Sequence, residues 1–168
     1  DDTIARADAI LTISRFSARE IVALRPAAAG KVHVVPPGIE DGFARPPAER
    51  VAAVRRRLGL PRPYLLSVGT LEPRKNYPLL ARAFDVLDRD DLDLVVAGMP
   101  GWRCEPILAS FRAARRAAQI RYLRYVADED LPALYAGAEI FALPSLYEGF
   151  GFPPLEAMAC GTPVVSSA

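Results

Sequence analysis

From residue 64 onward the sequence alternates short apolar, β-favouring runs with helix-forming segments, and no other feature constrains the fold as much. Residues 64–68 form a continuous apolar run, followed by a loop at 69–76 and a helix-forming stretch at 79–87. A run at 92–97 comes next, then a Gly- and Pro-containing turn at 98–101 and a helix over 105–118, with Arg112, Arg115 and Arg116 expected on its solvated side. Residues 120–126, 139–143 and 163–166 read as further strands, and 129–136 and 155–160 as helices. Continuous apolar strands are buried on both faces. Strands alternating with helices therefore predict an α/β fold, a parallel sheet with helices on both faces. Ligands of such sheets bind outside the carboxyl ends of the strands, so the loops after Val68, Ala97, Val126 and Leu143 should open on one edge.

The first third is less regular. Residues 9–13 and 31–36 are short β-favouring runs, the second closed by Pro36-Pro37-Gly38. Between them a cap at 14–17 introduces a helical segment at 18–24. A Pro- and Gly-rich linker at 42–47 leads to a basic amphipathic helix over 49–58, ended by Gly59. The 168 residues suffice for a domain with a real core, and a net charge of +1 offers no argument for nucleic acid as a partner. Lysine occurs only at Lys31 and Lys75. Cys104 and Cys160 have neither metal-type spacing nor the numbers for a disulfide framework, and read as buried or half-buried thiols of a reducing compartment. No apolar run has the length of a membrane span, and no signal peptide opens the chain. The chain starts Asp1-Asp2-Thr3 without Met and stops just after a strand-like run, so a fragment of a longer protein is expected.

Chemistry concentrates in two of the edge loops. Arg74 and Lys75 stand together before a helix, where a guanidinium and an ammonium can hold a diphosphate; a solvated basic pair is the plainer reading. Glu148 and Glu156, eight residues apart, flank a helix start opened by Pro153-Pro154. They could accept hydrogen bonds from ligand hydroxyls, or be two solvated carboxylates in a favourable helix-dipole position. Gly149 and Gly151 admit close backbone approach or simply serve a tight turn, and Phe150 could wall a ligand or join the core. His33 reads as a structural or edge histidine, Trp102 as a packed or half-exposed loop aromatic, and Tyr147 as packed beneath its loop.

Taken together these stretches resemble a known family. Residues 144–165, Pro-Ser-Leu-Tyr-Glu-Gly-Phe-Gly-Phe-Pro-Pro-Leu-Glu-Ala-Met-Ala-Cys-Gly-Thr-Pro-Val-Val, look like the E-x7-E region of retaining glycosyltransferases of family 4, glycosyltransferase group 1. Residues 67–76 resemble their donor-phosphate loop in a mannosyltransferase-like branch. Residues 126–135 resemble the strand and helix that hold the donor base, and 12–17 and 35–39 the segment entering the second domain. The resemblance implies a Rossmann-like fold, the C-terminal, donor-binding half of a GT-B glycosyltransferase. Residues 1–40 would end the N-terminal domain and form the interdomain segment, and 41–168 would be the donor domain, truncated at its C-terminus. It further implies that Arg74 and Lys75 hold the donor diphosphate, in a loop shared with Gly69 and Thr70, and that Glu156 accepts from the ribose hydroxyls. Glu148 would contact the transferred sugar, Gly149, Phe150 and Gly151 would lie near sugar and phosphate, and backbone around Val126 would meet the base.

The implied reaction retains anomeric configuration and needs neither metal nor cofactor. It moves a hexose from a nucleotide-diphosphate sugar, GDP-mannose being the expected donor, to a glycan or lipid-linked acceptor held by the N-terminal domain. The fragment alone would then be inactive and prone to self-association, and the full-length protein cytoplasmic, with peripheral attachment to the inner membrane face. Thr70 stands where many relatives have Arg, and Pro37 where many have Asn. The alternative is a non-catalytic nucleotide-binding or interaction module of the same fold.

Overall fold

The computed structural model describes residues 2–167, which divide into two compact units. The smaller comprises the chain up to Ile39 together with Glu148–Gly151. It contains helix α1 (Asp2–Arg6), strand β1 (Ile10–Thr12), helix α2 (Arg15–Leu24) and strand β2 (Val32–Val34). β1 and β2 pair in parallel, with Leu11 opposite His33. Ser14 opens α2 as the N-cap, its side chain accepting from the Ser17 N–H at 3.0 Å, which satisfies a donor the helix itself cannot. His33 is exposed on β2, as an edge histidine should be.

The larger unit runs from Glu40 to Tyr147 and resumes at Phe152. Its elements are α3 (Ala48–Arg57), β3 (Tyr64–Val68), α4 (Tyr77–Asp85), β4 (Asp93–Ala97), α5 (Glu105–Ala113), β5 (Ile120–Arg124), α6 (Leu131–Ala136), β6 (Ile140–Leu143), α7 (Phe152–Ala159) and β7 (Val164–Ser166). Among the described residues the sheet has five strands, all parallel, in the order β5-β4-β3-β6-β7. Successive side chains of a strand point to opposite faces. Leu66 and Val95 accordingly join a core with Tyr64, Leu134, Tyr135, Phe141 and Cys160, whereas Leu65, Leu94 and Val96 join a second core with Tyr77, Phe84 and Phe111. Both faces are thus covered, which is why β3 and β4 read as unbroken apolar runs.

Several boundaries differ from the sequence expectation. α4 begins at Tyr77, with Pro78 in its first turn, where a missing N–H costs nothing. The segment at 129–136 is a 3-10 turn, Asp128–Asp130, followed by α6. β5 ends at Arg124, which takes φ +58, and the Gly98 N–H donates to its carbonyl at 2.7 Å, next to a register slip between Val96 and Ala97.

α5 stops at Ala113, and Ala114 is extended. Arg116 is consequently buried rather than solvated, with 6% of its surface exposed. Its guanidinium donates to the carbonyls of Phe84 (3.0 Å), Leu87 (3.3 Å), Arg89 (2.7 Å) and Leu92 (3.0 Å) and to the Gln119 amide oxygen (2.7 Å), and lies 4.0 Å from the Phe84 ring centre. The Asp85 carboxylate accepts from the N–H groups of Arg115 and Arg116. A helical period would keep Arg116 on the wet face; the break after Ala113 turns it inward. Trp102 and Tyr147 also differ from expectation. Trp102 is 68% exposed under the Arg103 guanidinium, and Tyr147 is 47% exposed rather than packed beneath its loop. Cys160 is buried and Cys104 half-buried.

Candidate functional site

The loops after β3 and β4 are zipped together at the carboxyl edge of the sheet. The Gly69 N–H donates to Ala97 O (2.9 Å), Leu71 N–H to Met99 O (2.9 Å) and Gly101 N–H to Leu71 O (3.1 Å). Gly69 and Gly98 take φ +150 and +152, and a Cβ built on Gly98 would fall 2.0 Å from the Gly69 oxygen. Only glycine permits this approach. The Tyr77 hydroxyl donates to the Gly69 carbonyl at 2.7 Å, and the Tyr122 hydroxyl to Gly98 at 3.0 Å. Thr70 is exposed beside this junction, its methyl 2.5 Å from where a Cβ on Gly101 would sit.

This scaffold places the two basic residues differently. Pro73–Lys75 form a 3-10 turn, and Asn76, at φ +53, hands the chain to α4. Lys75 is 7% exposed, and its Nζ lies 3.5 Å from the position a Cβ on Gly69 would take. It is therefore no solvated surface lysine: its ammonium sits behind the Gly69 backbone. Arg74 stays half-exposed, bridged to Glu72 at 2.7 Å, and donates to the Tyr147 carbonyl at 3.2 Å. The Leu146 N–H donates to the Arg74 carbonyl at 2.8 Å, so the loop after β6 is tied to the loop after β3.

Glu156 lies in the second turn of α7, half-buried. The Tyr135 hydroxyl donates to its Oε2 at 2.7 Å. A cavity of about 370 Å³ opens here, lined by Glu40, Phe43, Asp128, Glu129, Leu131 and Glu156 among others. Burial pushes the Glu156 carboxyl above its usual range, the Tyr135 hydrogen bond opposes this, and the Glu40 and Asp128 carboxylates add to it. Burial likewise pushes the Tyr135 phenol upward, which keeps it a proton donor. The pocket is thus acidic and suits hydroxyl or amino groups rather than a phosphate. Its Asp128–Asp130 rim is fixed by Asp130, which pairs with Arg50 at 2.9 Å and also with Arg57 of α3. Val126, just before that rim, is buried in the core.

Glu148, Gly149, Phe150 and Gly151 belong to the smaller unit. The Gly149 carbonyl accepts from both the Ser14 and Ser17 hydroxyls, the latter at 3.3 Å. Ser14 therefore caps α2 and holds the glycine loop with one oxygen. Gly151 takes φ +94, whereas Gly149 does not have positive φ, so only Gly151 is conformationally obliged to be glycine. Glu148 and Phe150 are half-buried.

The sequence reading gave no individual role to Tyr135, Glu72 or Tyr77, and placed Ser14 only within a helix cap. Tyr135 and Glu156 are 21 positions apart, and no local spacing joins residues on different elements of a fold. Among the described residues, no group of three or more His, Cys, Asp or Glu is placed to hold a metal ion, and no helix is long and apolar enough to cross a membrane.

A parallel sheet covered on both faces, with a basic loop and an acidic pocket at its carboxyl edge, has the Rossmann-like architecture of a GT-B half. Residues 52–168 match the family of Glycosyl transferases group 1, and the chain belongs to it. Its relatives include the O-antigen chain mannosyltransferase B of Escherichia coli, 39% identical over 99% of this chain and 45% of that protein. The D-inositol 3-phosphate glycosyltransferase of Salinispora tropica is 34% identical, over 100% of this chain and 38% of that one. The chain thus spans less than half the length of these relatives. Among solved structures, Anabaena Alr3699/HepE in complex with UDP and glucose superposes with a TM-score of 0.85 at 20% identity, over 98% of this chain and 45% of that one, and shares the fold. Sucrose-phosphate synthase from Thermosynechococcus elongatus gives 0.81 at 27% identity, over 99% of this chain and 42% of its own.

Proposed function

We propose that this chain is the donor-binding half of a retaining, metal-independent hexosyltransferase that takes a nucleotide-diphosphate sugar and passes the hexose to a glycan or lipid-linked acceptor. The mannosyltransferases among its relatives support mannose as the hexose, and GDP-mannose is the donor we assign to it. The observation that carries the reading is Lys75, a buried ammonium behind the Gly69 backbone at the carboxyl edge of β3, with Arg74 next to it. A lysine is seldom fully buried unless paired, and a cation fixed there stabilises a diphosphate as negative charge develops on it during departure. Arg74 adds a forked donor set to the same anion. Glu156, in its acidic pocket, accepts from the ribose hydroxyls, while backbone near Val126 meets the base. Glu148 is assigned to the transferred sugar from its place in the E-x7-E motif, with the Gly149, Phe150 and Gly151 backbone nearby in sequence. Acceptor binding belongs to a further domain, so this chain alone binds donor and does not transfer.

Titration calorimetry with GDP, UDP and ADP tests the reading. Binding of a nucleoside diphosphate is expected, and Arg74→Ala with Lys75→Ala should remove it. Undiminished binding by the double variant overturns the assigned roles. Silence of all three ligands at millimolar concentration overturns the donor site and leaves the interaction module of the same fold.

A further inference from the structure

We propose that Tyr135 is a positioning residue for the nucleotide, fixing one oxygen of Glu156 so that the other faces the pocket as an acceptor for a vicinal diol. This rests on the reading of Glu156 as the ribose partner. Tyr135 is fully buried, its ring against Phe43 (centroids 6.1 Å apart) and Phe141 (5.6 Å). The Thr162 hydroxyl donates to its backbone carbonyl at 2.6 Å. Full burial against these two rings leaves the ring little freedom, so its hydroxyl is a fixed donor aimed at Glu156 Oε2. Glu156 has three rotatable side-chain bonds and shares its pocket with Glu40, Asp128 and Glu129. Like charges drive a loose carboxylate away from such neighbours and toward solvent. The Tyr135 hydroxyl opposes that drift. With Oε2 engaged, Oε1 remains for the ligand, and two adjacent ribose hydroxyls can share it with little reorganisation. An acceptor held in place before the ligand arrives saves the entropy of ordering it on binding.

The phenol touches no ligand atom itself, so its removal should weaken the diol contact alone. Tyr135→Phe keeps the ring and its packing but deletes the donor. The test is calorimetry on the unaltered chain and on Tyr135→Phe, each with GDP and with 2′,3′-dideoxy-GDP. Tyr135→Phe should weaken GDP by about tenfold, the range of one hydrogen bond to a charged group, and leave the dideoxy ligand unchanged. In a Glu156→Ala background Tyr135→Phe should have no further effect on GDP. Equal losses for both ligands, or independent losses in the double variant, mean a merely structural tyrosine and overturn the proposal. Glu156→Asp tests the carboxylate itself: its shorter side chain withdraws from phenol and ligand alike, and a diol-dependent loss is expected; an unaltered GDP to dideoxy-GDP ratio there overturns Glu156 as the ribose partner and the role of Tyr135 with it. Failure of the unaltered chain to bind any nucleoside diphosphate overturns the donor reading and this one together, whereas GDP binding with an unmoved ratio overturns this one alone.

Discussion

Replacing Gly98 by alanine should separate the two loops on which the proposed diphosphate site is built. The new Cβ would sit 2.0 Å from the Gly69 oxygen, 2.5 Å from its carbonyl carbon and 3.2 Å from the Thr70 nitrogen. All three are backbone atoms, so no side chain can swing away. An ordinary carbon–oxygen approach is about 3.3 Å, and the loops must part by roughly 1 Å to reach it. That movement pulls on the 2.9 Å bond from the Gly69 N–H to Ala97 and on the 2.7 Å bond from Gly98 to Arg124. Overpacking costs about 1–3 kcal/mol and a non-glycine residue at this φ a similar amount, so a loss of about 2–6 kcal/mol is expected. The whole fold is worth only about 5–15 kcal/mol, so urea unfolding would reveal the change as a large fall in midpoint. Because Gly69 and Thr70 move, GDP affinity should fall as well, even where the variant is fully folded. Gly38→Ala is the control: nothing lies within 4 Å of its Cβ position, and its φ is ordinary. A loss below about 1 kcal/mol for Gly98→Ala, within the reach of ordinary surface changes, would refute the close-packed junction.

Two further outcomes follow from buried groups. Arg116→Met should destabilise by about 3–5 kcal/mol in urea unfolding, because backbone carbonyls are left buried without donors; Arg116→Lys should recover only part, since a single ammonium cannot span carbonyls from Phe84 to Leu92. Glu156→Gln should raise the melting temperature at neutral pH. Burial raises the folded pKa of Glu156, so its charged form opposes folding increasingly as pH climbs through that value, and the advantage of glutamine should fade toward the ordinary glutamate value of 4.5. An advantage independent of pH would mean that the charge is not what costs stability there.

The sheet was legible because its chemistry is local. β3 and β4 announce themselves by unbroken apolar runs, and the loops at their carboxyl ends follow from the βα alternation alone. Arg74 and Lys75 could likewise be singled out as a basic pair before a helix. What could not be read was their difference: Lys75 is buried against the backbone of Gly69, six positions earlier, whereas Arg74 stays half-exposed. Glu156 was visible as a carboxylate near a helix start, but its acidic neighbours Glu40 and Asp128 come from distant segments. Arg116 shows the limit most plainly. Charge pattern placed it outside, and a helix break that no single residue signals placed it inside.

The way Arg116 grips the segment between α4 and β4 also sets how that segment can vary. The guanidinium holds Leu87, Arg89 and Leu92 by their carbonyls, which every amino acid possesses, and Val86 within the same stretch is 82% exposed. At exposed positions such as Val86 side-chain identity is nearly free, Leu92 being held by its burial in the core, while spacing is fixed throughout. A one-residue insertion would carry each later carbonyl out of phase with a donor set that cannot stretch. The segment is a ruler whose length is read and whose lettering is not, a natural place to exchange surface chemistry without disturbing the sheet behind it.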